Sequence, residues 1–380
     1  MNSPSTRLFA LWVVLLAAAG SYALTTGVRQ SMGLFVSPLN TATGLGIGSI
    51  SLAFAFGQLW WGLTQPVAGA IADKIGAGRV LFFGVLMVAL GTFITPYMSS
   101  TLGLILAVGV LAAGGAGLAG PSVLMPAATR LIAPIAGMLM LSFGWASALQ
   151  VLAIVVLLSL PAAFILRGAP APHSPAAPQK LSAGQAMRTA LRDRNYLLLA
   201  AGFFVCGFHV AFLATHLPGV IAACGLPLQF GAWSLALLGL FNIMGSLGIG
   251  WAMGRWRSRS LLALLYATRA VAVLLFLLAP KTGLVVLVFA AVMGLTFLST
   301  VPPTAGLVAK FFGPANMGTQ FGIVMLVHQV GAFAGVWLGG KAFEVTGSYD
   351  WYWYVDILLA VGAALINLPI REARVVRAAA

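Results

Sequence analysis

What most constrains this chain is the spacing of its charges. Stretches of roughly 20 apolar residues, the length a helix needs to cross a bilayer, recur from end to end, and the charged residues gather between them. Lys and Arg cluster at 188–194, 255–259 and 371–377, while six carboxylates serve 380 residues: Asp73, Asp193, Glu344, Asp350, Asp356 and Glu372. With 61% of residues apolar and 7% charged, against about 25% charged in a soluble domain, water is not the solvent this chain is built for. It reads as an all-α integral membrane protein. The net charge of +14 would suit a nucleic-acid binder, but basic clusters in short loops beside spans are what the positive-inside rule places on the cytoplasmic face. The lipid bilayer is therefore the expected partner and nucleic acid is not. Cys206 and Cys224 fall in one predicted helix, about 27 Å apart along its axis, so they cannot pair with each other.

The spans are read at 8–38, 48–72, 79–98, 102–129, a problem segment at 131–145, 146–166, 196–222, 228–254, 260–280, 283–309, 318–343 and 351–370. The first run, ending LAAAGSYA, has some look of a signal peptide, but the apolar pattern continues past the would-be cleavage site. Residues 168–194, GAPAPHSPAAPQKLSAGQAMRTALRDR, form a Pro-, Ala- and Arg-rich linker with a short amphipathic helix after Leu181. The linker separates an N-terminal bundle, 1–167, from a C-terminal bundle, 195–380.

Shifting the first half by 180 residues lays it on the second. Gly27 meets Gly207, Arg29 meets His209, Pro38 meets Pro218, Arg130 meets Lys310 and Pro134 meets Pro314. Two six-helix halves repeated in this sense are related by a pseudo-two-fold axis along the membrane normal, a plan common in secondary transporters. The repeat also exposes a shortage. From Pro314 to Trp351 there is room for a full span, yet the counterpart from Pro134 to Trp145 is only 11 residues long. The chain must still cross there. Otherwise the positive-inside arrangement, which leaves only Lys281 and Lys341 outside and Arg29 and Arg269 within the membrane, would invert. From Arg130 to Trp145 a helix covers about 22 Å of a core near 30 Å, so a short or broken fifth span is expected.

Between the second and third spans, Gly69-Ala-Ile-Ala-Asp73-Lys74-Ile-Gly76-Ala-Gly-Arg79 resembles the signature loop of the major facilitator superfamily. The resemblance implies a fold of twelve spans in two six-helix bundles, with Gly69, Asp73, Lys74, Gly76 and Arg79 in a conformational, gating role. GVRQSMGLF on the first span and FLATHLP on the seventh are similar to bacterial members related to monocarboxylate and oxalate/formate carriers. Those carriers place an Asp and an Arg on the eighth span; this chain offers Asn242 there.

Arg29 lies about 13 Å inside Pro38, the outer end of its span. A charge at that depth marks a functional site by default, the alternative being an arginine that snorkels to the interface or binds carbonyls. Arg269 sits about 15 Å from Arg259 on the ninth span and reads equally as a structural residue tied to Asn242. His209 and His216, seven apart, share one helix face; His328 and Gln329 sit midway along the eleventh span. Histidine titrates near neutral pH, so these residues suit proton relay or substrate hydrogen bonding as well as plain interhelical bonding. The expected substrate-binding set is Arg29, Gln30, His209, His216, Arg269, His328, Gln329 and Asn242. No metal site is expected, because no acid or thiol has ligand spacing to the histidines, and no cofactor.

No carboxylate lies in the middle of a predicted span; Asp356 enters the last one by about two turns. The cavity should thus be electropositive and suit an anion, with an arginine fork for a carboxylate. The function expected is secondary active transport of small organic anions, monocarboxylates first, by alternating access and with possible proton symport. A monomer in the bacterial inner membrane, with both termini cytoplasmic, is the expected form. The rival readings are a transporter of neutral or hydrophobic compounds and a protein that binds ligand without transport because its fifth span is short. An enzyme is not expected, since no nucleophile–base motif is present.

Overall fold

The computed structural model describes residues 20–21, 24–119, 125–161 and 183–372. Every regular element among them is helical. The first half holds α1 over residues 24–43, with its turn Met32–Phe35 wound as 3-10, then α2 (Ile47–Ile75), α3 (Ala77–Ile94) and α4 (Thr101–Leu118). One helical run, Met125–Leu157, breaks at Gly144 into α5 (125–143) and α6 (145–157). After the linker comes α7 (Ala183–Arg192), the expected amphipathic helix. The second half holds α8 (Arg194–Ala223), α9 (Leu228–Met253), α10 (Ser258–Leu278) and α11 (Gly283–Thr296). A second long run, Val301–Thr346, breaks at Gly313 into α12 (301–312) and α13 (314–346), and α14 (Asp350–Asn367) follows. Eight segments among the described residues are long and apolar enough to cross a membrane. With α1, α2, α5 and α14 added, the described residues fit a plan of twelve passes, α11 and α12 together making the tenth.

The helices pack as the internal repeat requires. The shift by 180 residues sends the second span to the eighth and the fifth to the eleventh. In the structure α2 packs on the α12–α13 run and α9 packs on the α5–α6 run, so the two contacts between the halves are images of each other. On the axis α1 meets α8, where Gly33 lies so close to the Ala214 and Thr215 backbone that a Cβ would collide. Within the second half, Gly331 and Gly335 of α13 lie directly on the backbone of Phe204 and Phe208 of α8. With no hydrophobic drive between helices in lipid, such close backbone approach is what holds them together.

The fifth span departs from its expected limits. The fourth span, expected to run to 129, ends at Leu118, and the next helix begins at Met125. Pro126 then falls in a first helical turn, where its missing N–H costs nothing. The eighteen steps from 125 to 143 give about 27 Å of continuous helix, close to the hydrocarbon thickness of about 30 Å. The fifth span is short, and it is lengthened at the expense of the fourth.

The signature stretch is also more helical than its loop reading implies. Residues 69–74 are the last turns of α2, and a single residue, Gly76 at φ 91°, separates α2 from α3. The positive φ is why a glycine stands there. Arg79 is exposed in the first turn of α3. The Gly69, Asp73 and Lys74 side-chain surroundings, and those of Arg130, lie outside the described residues.

A central cavity as candidate functional site

Between the halves lies a cavity of about 340 Å³. Arg29 and Gln30 of α1 and Gln58 and Trp61 of α2 form its first-half wall; α8, α9, the start of α12 and α13 form the other. Arg29 Nη1 donates to Gln58 Oε1 at 2.8 Å, and its guanidinium lies 4.5 Å over the Trp61 ring. Two neutral groups thus fix the guanidinium plane, one by a hydrogen bond and one by a cation–π contact. From α13, His328 and Gln329 reach the same cavity, 6% and 1% exposed, and neither the His328 ring nitrogens nor the Gln329 amide makes a hydrogen bond of normal geometry. Met325 and Ala332 complete that face, at the i, i+3, i+4, i+7 spacing of a helix stripe. The remaining lining is chiefly apolar: Phe203, Val210, Ala211, Ala214, Leu298 and Pro302 among others. Among the described lining residues Arg29 carries the fixed charge, and no carboxylate is present.

Four of the eight expected binding residues therefore line one cavity, namely Arg29, Gln30, His328 and Gln329. The other four do not. Arg269, 1% exposed, donates through Nη2 to the carbonyls of Thr296 and Phe297, the latter at 2.8 Å, and through Nε to Thr296 Oγ1 at 3.3 Å. Asn242 Oδ1 accepts from the Leu298 N–H at 3.1 Å. Both serve the break in the tenth span. Pro302 and Pro303 fall in the first turn of a helix, where proline is best tolerated, and residues 297–300 turn between the end of α11 and the start of α12. Irregular backbone at membrane depth must have its polar groups satisfied by protein, and Arg269 and Asn242 do this.

His209 and His216 share a face, as their spacing requires, but that face turns away from the cavity. His216 Nε2 is 2.8 Å from the Val336 carbonyl of α13. His209 Nε2 is 3.1 Å from Asp356 Oδ1 of α14, both residues being 1% exposed. Asp356 is thus the partner that sequence reasoning passed over; a lone acid within an apolar run was the available signal. Gln58 and Trp61 were missed too. They stand three apart on α2, on one face, and nothing in the sequence alone distinguishes them from packing residues.

The two halves touch at the face that carries the 44–46 and 347–349 turns. There Gly340 of α13 lies against Ser51 of α2, and the Glu344 carboxylate lies over Gly46 and Gly48 at the start of α2 while pairing with Lys341 at 2.6 Å. These contacts join the two halves.

The family model described as Major Facilitator Superfamily matches residues 122–336. Among curated proteins, the uncharacterized MFS-type transporter YcxA of Bacillus subtilis is 24% identical, covering 97% of this chain and 96% of its own. Monocarboxylate transporter 13 of Rattus norvegicus is also 24% identical, over 94% of this chain and 89% of its own. The YcxA alignment extends over 397 positions, more than the 380 residues available here, so that relative carries residues this chain lacks. Among solved structures, the nucleoside transporter NupG superposes with a TM-score of 0.78 at 14% identity, covering 95% of this chain and all of that one.

Proposed function

The chain belongs to the major facilitator superfamily of multi-pass membrane transporters, and on that premise we propose that it carries small organic anions, monocarboxylates first, by alternating access. The observation that carries this reading is the chemistry of the cavity: a fixed guanidinium among chiefly apolar walls, with no carboxylate among the described lining residues. A carboxylate with a short apolar body matches both features. Its head would take the Arg29 fork, which is shaped for bidentate carboxylate binding, and the unmet hydrogen-bonding groups of His328 and Gln329 would accept or donate to its remaining polar atoms. Three relatives named as monocarboxylate transporters support the same substrate class.

In the orientation that keeps the basic clusters inside, both termini and the linker face the cytoplasm and the chain works as a monomer in a cell membrane. The face at Gly340 and Glu344, where the halves touch, is then the outer one, and the opposite state requires those contacts to part. Proton coupling belongs to the same reading. A second reading, carriage of a neutral apolar compound, draws on the apolar walls.

Uptake of radiolabelled lactate and of its neutral analogue lactamide into proteoliposomes separates these readings. Lactate uptake without lactamide uptake, lost in Arg29→Gln, supports the anion carrier. Equal entry of both, unchanged by the substitution, overturns it in favour of neutral cargo. Saturable lactate binding without any flux overturns transport and leaves a binding protein.

A further inference from the structure

Directly behind the α8 wall of the cavity lies a group of ionisable residues that the substrate does not touch. Val210, Ala211 and Ala214 face the cavity, while His209, on the same turn, faces Asp356 of α14 on the other side. The two environments are one helix thickness apart, about 10 Å. Around the pair stand Arg269 and Tyr266 of α10, Cys206 of α8 and Tyr352 of α14, whose hydroxyl donates to the Phe208 carbonyl at 3.0 Å. Arg269, Tyr266 and His209 are each 1% exposed, and Cys206 is fully buried.

The bonding leaves this group under-determined in protons. Arg269 commits Nε and Nη2 to α11 carbonyl and hydroxyl oxygens, and Nη1 makes no hydrogen bond, so it acts on Asp356 and His209 through space rather than as a bonded partner. The close charged partner of Asp356 is a histidine, which exists with or without its second proton. With Asp356 ionised and His209 neutral, the charge of Arg269 is balanced. The two atoms, His209 Nε2 and Asp356 Oδ1, lie 3.1 Å apart without a hydrogen bond of normal geometry, and one added proton, on either residue, leaves the group at plus one. A buried net charge is unfavourable unless an opposite charge is near, and an anion in the adjoining cavity supplies it. From the cavity, polar groups continue inward by way of His328, beside the Cys206 thiol, whose Sγ is 3.0 Å from Thr300 Oγ1.

The geometry points to the His209–Asp356 pair as the site that takes up the co-transported proton, separate from the cavity that holds the anion. This rests on the anion-carrier reading. Binding of proton and anion is then linked through the field across α8. Unit charges about 10 Å apart at intermediate dielectric change one another's affinity by about tenfold.

Two measurements on the full-length protein test it. The first needs no substrate: infrared difference spectra of wild type between about pH 5 and pH 8, the range in which histidine changes charge. The expected result is a buried-carboxyl C=O band that titrates in that range and is missing in Asp356→Asn. A wild type with no titrating band, or a band that survives the substitution, overturns the proposal. The second uses proteoliposomes and lactate. Asp356→Asn and His209→Gln should keep lactate counterflow while losing accumulation driven by a proton gradient. Gradient-driven accumulation that persists in both variants overturns the proposal. Lactate counterflow absent from the wild type itself defeats the anion-carrier reading instead, and the infrared result still decides the proton site. The His209 variant, judged by monodispersity in detergent, covers the case in which the Asp356 variant fails to fold.

Discussion

Arg269 offers a direct contest between a structural arginine and a substrate-binding one. Replacing it with Met keeps the length and apolar stem and removes the donors. The buried carbonyls of Thr296 and Phe297 then lose this donor, while the Thr296 hydroxyl keeps its bond to the Met293 carbonyl. A buried polar group left unsatisfied costs about 1–3 kcal/mol, so the two carbonyls alone give about 2–6 kcal/mol. Relief from burying the guanidinium offsets part of this. The net expectation is a loss of about 2–5 kcal/mol, a fall in Tm of roughly 5–15 °C at the usual few degrees per kcal/mol. The assay is thermal unfolding of the purified protein in detergent, followed by tryptophan fluorescence, with Arg269→Lys beside it. Lysine keeps the charge and some donors and should fall between the two. An Arg269→Met variant with an unchanged Tm and abolished lactate binding would refute the argument, because it would place Arg269 on the substrate and not on the break in the tenth span.

Other expectations follow from the same contacts. Arg29→Gln removes a charge-assisted bond of about 1.5–3 kcal/mol and should weaken lactate binding by roughly 10- to 150-fold; Arg29→Lys should recover part of it, as read by lactate displacement. Gly62→Leu pushes into Gln329 of α13, since even a Cβ there meets that side chain; lactate affinity should drop several-fold with little change in Tm. Asn242→Ala strands the Leu298 N–H at the helix break and should lower stability by about 1–3 kcal/mol, again seen in Tm. Gly340→Val places its side chain on Ser51 and should hold apart the face at 44–46 and 347–349. Spin-label distances across those two turns should lengthen; an unchanged distance distribution would remove the argument that this face joins the halves.

How much of this was legible beforehand follows from what a one-dimensional pattern encodes. Span number and the linker helix follow from hydropathy, composition and the repeat, whereas the packing of α2 on α13 was not read from the sequence. His328 and Gln329 were legible because mid-span polar residues must turn inward. Rotation about a helix axis was not legible. A shift by 180 residues equates Arg29 with His209 in depth, yet each residue along a helix turns the side chain by about 100°. On α8 the cavity face is Phe203, Val210, Ala211 and Ala214, and His209 stands roughly a third of a turn away from it. The fifth span was misplaced for a different reason. Apolar residues at 119–129 suit the end of one span or the start of the next equally well, and hydropathy cannot choose between them.

That rotation gives the two halves different work. The first half supplies the cavity's fixed cation, held by the neutral Gln58 and Trp61. The second half keeps its cation, Arg269, out of the cavity and spends it on the broken tenth span and on the His209–Asp356 pair. The position equivalent to Arg29 therefore became a histidine facing an acid, a group that can change its charge by one proton, while Arg29 cannot. A fixed charge suits recognition, because it is present in every state of the cycle. A variable one suits coupling, because the cycle needs a charge that comes and goes with the cargo. A charge in the middle of the first span marks a functional site by default, and on the anion-carrier reading the ionisable pair of the second half would link an anion at that site to a proton.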